Sequence, residues 1–203
     1  SMLYLNNSAT SFPKPPEVKT AICSYFDKPP LSPSRASVDD ADEDRILSCR
    51  TRLARLFNAG NPNRIIFTSG STESLNLAFK GLDLKDAHVI GTATEHNSVI
   101  RPLNHLHDEI GVTSDFVECD RFGNVDPDAI SKAIKPNTKM IVVNHVSNIT
   151  GAVQDMHAIG KIAKDHGLLF VADVSQSAGS VPVDVKAWNA DFVAFTAHKS
   201  LYG

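Results

Sequence analysis

From Arg64 onward, short apolar runs rich in β-branched residues alternate with segments whose apolar residues recur every three or four positions, and this alternation constrains the fold more than any other feature. The runs are Ile65-Ile66-Phe67, His88-Val89-Ile90, Asp115-Phe116-Val117, Met140-Ile141-Val142-Val143, Leu168-Leu169-Phe170-Val171 and Phe192-Val193-Ala194-Phe195. Each reads as a strand. A strand that leads through a helix into the next strand returns to the same end of the sheet, so neighbours run parallel and helices cover both faces. The expected fold class is α/β, three layers in the order α/β/α on a mainly parallel mixed sheet. In such sheets ligands sit outside the carboxyl ends of the strands.

The intervening segments carry helix signals. Val99, Leu103, Leu106 and Ile110 keep one face, Asp126-Pro127 caps and opens a helix burying Ile130, Ala133 and Ile134, and Met156, Ile159 and Ala163 mark another that Gly167 stops. Earlier in the chain, Pro15 and Pro16 suit the first turn of a helix reaching about Tyr25. The stretch from Lys28 to Asp44 has three prolines, several serines and an acidic cluster without apolar period, and reads as a loop. A helix follows in which Ile46, Cys49, Leu53, Leu56 and Phe57 share a face, with Gly60 past its end. The expected organisation is an N-terminal arm, helix and loop over residues 1–45, then one large domain over 46–203.

Composition removes several function classes. Twenty basic against 23 acidic side chains, with no basic run, argue against a nucleic-acid partner. No apolar stretch is long enough to span a membrane and no signal peptide is visible, so the expected location is the cytoplasm. Three scattered cysteines, Cys23, Cys49 and Cys119, suggest neither a disulfide framework nor a zinc site. His105 and His107 are two apart on a helix and cannot share a metal, and no metal site is expected. The phosphate-loop, dinucleotide-fold, zinc-protease and nucleophile-elbow motifs are all missing from the sequence.

Four polar clusters fall at carboxyl ends of the expected strands. Thr68-Ser69-Gly70-Ser71-Thr72-Glu73 leads into a helix, an arrangement able to hold an anion such as phosphate, or simply a capped helix start. Thr94-Glu95-His96-Asn97 places an imidazole at the same edge, for stacking, for proton transfer or to satisfy a loop. Asp173, with Gln176 three residues on, puts a carboxylate at a buried strand end, where it needs a cation or several donors unless it caps a helix. Phe195-Thr196-Ala197-His198-Lys199 ends with a lysine whose amine, if desolvated, attacks carbonyls. Each alone is commonplace. Together they are the parts of a pyridoxal phosphate site: a phosphate cradle, a stacking imidazole, a carboxylate for the pyridinium nitrogen and a Schiff-base lysine.

These residues carry a resemblance to the class V aminotransferase family, in its cysteine desulfurase and selenocysteine lyase branch. The matching segments are Tyr4-Leu5-Asn6-Asn7-Ser8-Ala9-Thr10, Gly70-Ser71-Thr72-Glu73-Ser74-Leu75-Asn76, Glu95-His96-Asn97-Ser98, Ser147-Asn148-Ile149-Thr150-Gly151, Asp173-Val174-Ser175-Gln176 and Ala197-His198-Lys199. The resemblance implies the large domain of a type I pyridoxal 5'-phosphate transferase fold. Residue by residue it implies that Lys199 forms the Schiff base, Asp173 pairs with the ring nitrogen and His96 stacks on the ring. Gln176 contacts the phenolic oxygen, Ser71, Thr72, Thr196 and His198 hold the phosphate, and Asn148 lies near the ring or substrate carboxylate.

The activity implied is release of sulfur or selenium from cysteine or selenocysteine, in a homodimer that passes the sulfur to an acceptor protein. By the same resemblance, the cysteine that takes the sulfur and the arginine that clamps the substrate belong to a C-terminal part beyond Gly203. The chain is thus expected to lack its small domain and to expose apolar surface there. Between Lys28 and Asp44 the chain departs from the family, with Leu31-Ser32-Pro33-Ser34-Arg35-Ala36-Ser37 in place of a Gly- and His-bearing stretch. Two other readings fit the same residues: a class V aminotransferase proper, and a non-catalytic scaffold.

Overall fold

The computed structural model describes residues 3–27 and 45–203, so the Lys28 to Asp44 stretch lies outside the described residues. Five strands form one sheet: β1 (His88–Thr92), β2 (Thr113–Val117), β3 (Thr138–Asn144), β4 (Leu169–Asp173) and β5 (Phe192–Ala194). They lie in the order β2-β1-β3-β4-β5, and every pairing is parallel, so the described sheet is not mixed. This order reverses direction between β1 and β3, which makes that gap the switch point of the sheet.

Alternate residues of the strands feed two cores. Val89, Met140, Val142 and Val171 face α3 (Ser71–Lys80) and α4 (Asn97–Ile110), packing with Leu75, Phe79, Val99, Leu103 and Leu106. Ile90, Ile141, Val143, Phe170 and Ala172 face the other way, against Ile130 of α5 (Pro127–Lys132) and Met156, Ile159 and Ala163 of α6 (Met156–Asp165). Three layers result. Side chains such as Phe79, Leu75 and Ile130 are wholly buried, each a gain of about 1.5–3 kcal/mol over exposure.

The local signals behind these helices act as their chemistry requires. Asp126 accepts from the Asp128 N–H at the start of α5, with Pro127 at the first helical position. Asp155 accepts from the Ala158 N–H at the start of α6, and Gly111, at φ 76°, closes α4 in the left-handed conformation. Gly160 in α6 has a different reason: a Cβ there would lie 1.7 Å from the Trp188 carbonyl oxygen, so only glycine lets the helix approach that backbone.

Two expectations fail. Ile65-Ile66-Phe67 is not a strand: Ile65 is buried, but Ile66 and Phe67 are 63% and 49% exposed and, among the described residues, pair with no neighbouring strand. The apolar face expected on α2 (Arg45–Leu56) is only partly used: Leu53 packs against the core and Phe57 is buried, while Ile46, Cys49 and Leu56 are exposed. Nor does α1 (Pro16–Phe26) contain a buried residue; its Ile22, Tyr25 and Phe26 face outward.

Candidate active site

The carboxyl ends of the central strands end in polar residues set side by side by register: Asn144 on β3 pairs with Asp173 on β4, which pairs with Ala194 on β5. Above them opens a small cleft. Of the residues expected to act, Ser71, His96, Asn148, Asp173, Gln176 and Lys199 line it. Thr72, Thr196 and His198 are not among its lining residues. The sequence reading missed Ser98, Asn144 and Ser175, which complete the wall. A Ser two residues after each of His96 and Asp173 was visible in the sequence; the place of Asn144 required strand register.

Each wall has a local cause. His96 is the N-cap of α4: its Nδ1 accepts from the Ser98 N–H at 3.1 Å, with the Ser98 hydroxyl at 2.9 Å. A ring nitrogen that accepts from a backbone N–H carries no proton, so in the neutral imidazole the hydrogen sits on Nε2. Asp173 is 2% exposed, and its Oδ1 accepts from both the N–H and the hydroxyl of Ser175. Among the described residues no donor meets Oδ2. Asp173 lines the cleft, where this free carboxylate oxygen can meet a cation or an N–H supplied from outside the chain.

Lys199 is half-buried; desolvation holds its amine below the ordinary lysine range, with the Asp173 charge opposing that shift. Asn148 stands on a turn held by Ser147, whose hydroxyl accepts from the N–H groups of Ile149 and Thr150. At the opposite wall, α3 begins at Ser71 with no side chain capping it. Glu73 turns back to accept from the Ser69 N–H at 2.6 Å, which holds its carboxyl below the usual range and leaves the first turn of the helix free for an anion.

Glu95, beside His96, is the residue whose weight the sequence hid. It is 8% exposed, and its Oε1 accepts from the Thr92 hydroxyl at 2.6 Å and the Asn144 N–H at 3.0 Å, tying the end of β1 to the end of β3. Oε2 is buried without a partner among the described residues. Burial pushes the carboxyl up to about 8, with nearby Asp173 adding to the rise. His198, by contrast, turns to the N-terminal arm, where its Nδ1 lies 3.1 Å from the Thr10 hydroxyl. Gln176 lines the cleft but donates to the Ser8 carbonyl at 3.0 Å.

An amine, a buried carboxylate, a fixed imidazole and an open helix start, gathered at the switch point of a parallel sheet, define a site suited to a phosphorylated, carbonyl-bearing heterocycle. The sequence comparisons agree: residues 3–203 match the family described as Aminotransferase class-V, and the chain belongs to that pyridoxal phosphate-dependent family. Among curated relatives, the cysteine desulfurase IscS of Vibrio campbellii is 36% identical over 210 residues, 99% of this chain and 51% of its own. The mitochondrial cysteine desulfurase of Arabidopsis thaliana is 39% identical over 166 residues, 79% of this chain and 36% of its own.

Solved structures agree on the fold. A cysteine desulfurase from Thermococcus onnurineus superposes with a TM-score of 0.84 at 33% identity, over 99% of this chain and 51% of its own. SspA, solved in complex with cysteine, gives 0.86 at 28% identity, over 98% of this chain and 58% of its own. The chain spans about half the length of the curated relatives it matches.

Proposed function

We propose that this chain is the cofactor-holding part of a pyridoxal phosphate-dependent enzyme that removes sulfur from cysteine, or selenium from selenocysteine. The observation that carries the reading is the convergence of Lys199, Asp173 and His96 on one cleft beside the uncapped start of α3. The residues present fit the cofactor: Lys199 offers an amine, Asp173 an acceptor for a protonated ring nitrogen, and α3 free N–H groups for phosphate. When bound, that group accepts electron density as a substrate bond breaks.

The chain's own residues do the rest. Desolvation keeps a larger share of the Lys199 amine unprotonated and able to attack a carbonyl. The Asp173 carboxylate, braced by Ser175, stabilises positive charge that meets it in the cleft. His96, oriented by Ser98, presents Nε2 as the atom that gives or takes a proton. Ser71 and Thr72 would hold the phosphate at the first turn of α3, Gln176 would contact the phenolic oxygen, and Asn148 would lie near the ring or the substrate carboxylate. Thr196 and His198, on the loop before Lys199, would contribute to holding the phosphate. The homodimer and the sulfur acceptor belong to this reading as well.

Mixing the chain with pyridoxal 5'-phosphate and fixing the adduct with borohydride tests it. The expected result is a mass increment on the peptide bearing Lys199 and none in Lys199→Ala; an increment on another lysine, or none in the parent chain, overturns the reading. In the full-length protein, alanine with sulfide or selenide is the expected product. A keto acid instead identifies an aminotransferase.

A further inference from the structure

The N-terminal arm crosses the loop that carries Lys199, and its polar groups converge on a single atom. The carbonyl oxygen of His198, the residue before Lys199, receives the Ser11 N–H at 3.2 Å, the Ser11 hydroxyl at 3.0 Å, the Thr10 hydroxyl at 2.9 Å and the Lys14 ammonium at 3.0 Å. A carbonyl has two lone pairs, so this oxygen is crowded beyond what folding a loop requires. Lys14 also donates to Ser11 Oγ at 2.9 Å and to the Gly203 carbonyl at 3.1 Å, bridging both sides of the loop. Ser11 itself is 7% exposed, while the bonds from Thr10 and Lys14 to this oxygen lie at the surface. A little upstream, the Ser8 carbonyl receives Gln176 from the loop that follows Asp173.

The consequence is mechanical. Lys199 follows a strand of only three residues, and past Ala194 the chain carrying it has no regular structure. Fixing the carbonyl on the peptide that joins His198 to Lys199 fixes the point from which the lysine side chain starts. We propose that Lys14 is a positioning residue: by holding the His198 carbonyl it sets the backbone of Lys199, and so the reach of its amine into the cleft. The inference rests on the reading of Lys199 as the cofactor-binding lysine. Lys14 itself is not among the residues lining the cleft.

The test compares the parent chain with Lys14→Met, which keeps the length of the side chain and removes its donors, and Lys14→Arg, which keeps a cation able to donate. Amide exchange over residues 197–203 reads the loop without any cofactor, and the rate of borohydride-fixed capture at Lys199, set against total cofactor bound, reads the amine. Lys14→Met is expected to speed exchange in that segment alone and to slow capture by about 10-fold at similar total binding. Lys14→Arg is expected to restore both to within about 3-fold of the parent. Parent-like exchange and capture in Lys14→Met overturn the assignment.

Should Lys14→Met unfold as a whole, Thr10→Val deletes one donor and repeats the comparison at smaller amplitude. A parent-like loop in that variant, or faster exchange spread over the entire chain, also overturns it. If the parent shows no capture at Lys199 while the exchange contrast persists, the cofactor reading falls and the anchoring role of Lys14 stands.

Discussion

The two ends of the same sheet treat buried charge in opposite ways. At the amino end, His88 is fully buried, yet its Nδ1 lies 2.7 Å from the Thr138 hydroxyl on the neighbouring strand. Its Nε2 lies 3.1 Å from the Asp115 carboxylate, too bent for a hydrogen bond, and Asp115 is itself paired with Lys135 at 2.6 Å. At the carboxyl end, Glu95 has an oxygen with no protein partner, Asp173 has donors on only one oxygen, and the Lys199 amine is desolvated. The amino end sets its charges against one another within the chain, His88 Nε2 lacking only an aligned bond. The other holds groups whose partners lie outside the polypeptide, the usual mark of a site that has traded stability for chemistry.

The largest expected effect separates the ends by stability. His88→Ala opens a cavity, removes the imidazole from the Thr138 hydroxyl and leaves Asp115 to Lys135 alone, and should cost about 2–4 kcal/mol in denaturant unfolding. Lys199→Met should cost no more than about 0.5 kcal/mol, because it removes a desolvated amine. Equal losses would erase the contrast. The next effect is on pH dependence. Glu95 titrates near 4.5 unfolded and about 8 folded, so the native protein holds a proton that the unfolded chain has lost, and stability falls as pH rises through that window.

His88 and His145 are shifted down, His145 to about 4, so each costs stability as pH falls below about 6.5. Glu95→Gln should therefore remove the fall in stability between about pH 4.5 and 8, so that the variant gains on the parent steadily across that window. A parent-like slope between pH 4.5 and 8 in Glu95→Gln would show that Glu95 is not the group responsible. The smallest effect is at Lys135, which is about half exposed and lowers His88 through its charge. Lys135→Ala should cost under about 1 kcal/mol, shrink with added salt, and raise the His88 titration midpoint in an NMR titration.

What the sequence disclosed divides along similar lines. The strands His88–Thr92 and Leu169–Asp173 and the cap at Asp126 were legible because their signals are local: apolar runs, Asp before a helix, Pro in its first turn. The cleft was legible for Lys199, Asp173 and His96 because strand ends in a parallel sheet point one way. Ile65-Ile66-Phe67 misled because an apolar run says nothing of whether a partner strand lies beside it; Phe67 instead lies under the Arg50 guanidinium, 5.5 Å from its ring centre. The face of α2 misled similarly, since periodicity marks an apolar stripe without naming what covers it. Glu95 was hidden because its burial depends on Asn144, 49 residues on and reached only through sheet pairing.

Ser11 and His198, joined at the edge of the cleft, stand 187 residues apart in sequence. A ribosome adding about 5–20 residues per second takes about 10–40 s to cover that span. Throughout it the donors of the arm have no partner in this loop. The lysine loop gains its anchor only after the strands between them, from His88 to Ala194, have been made.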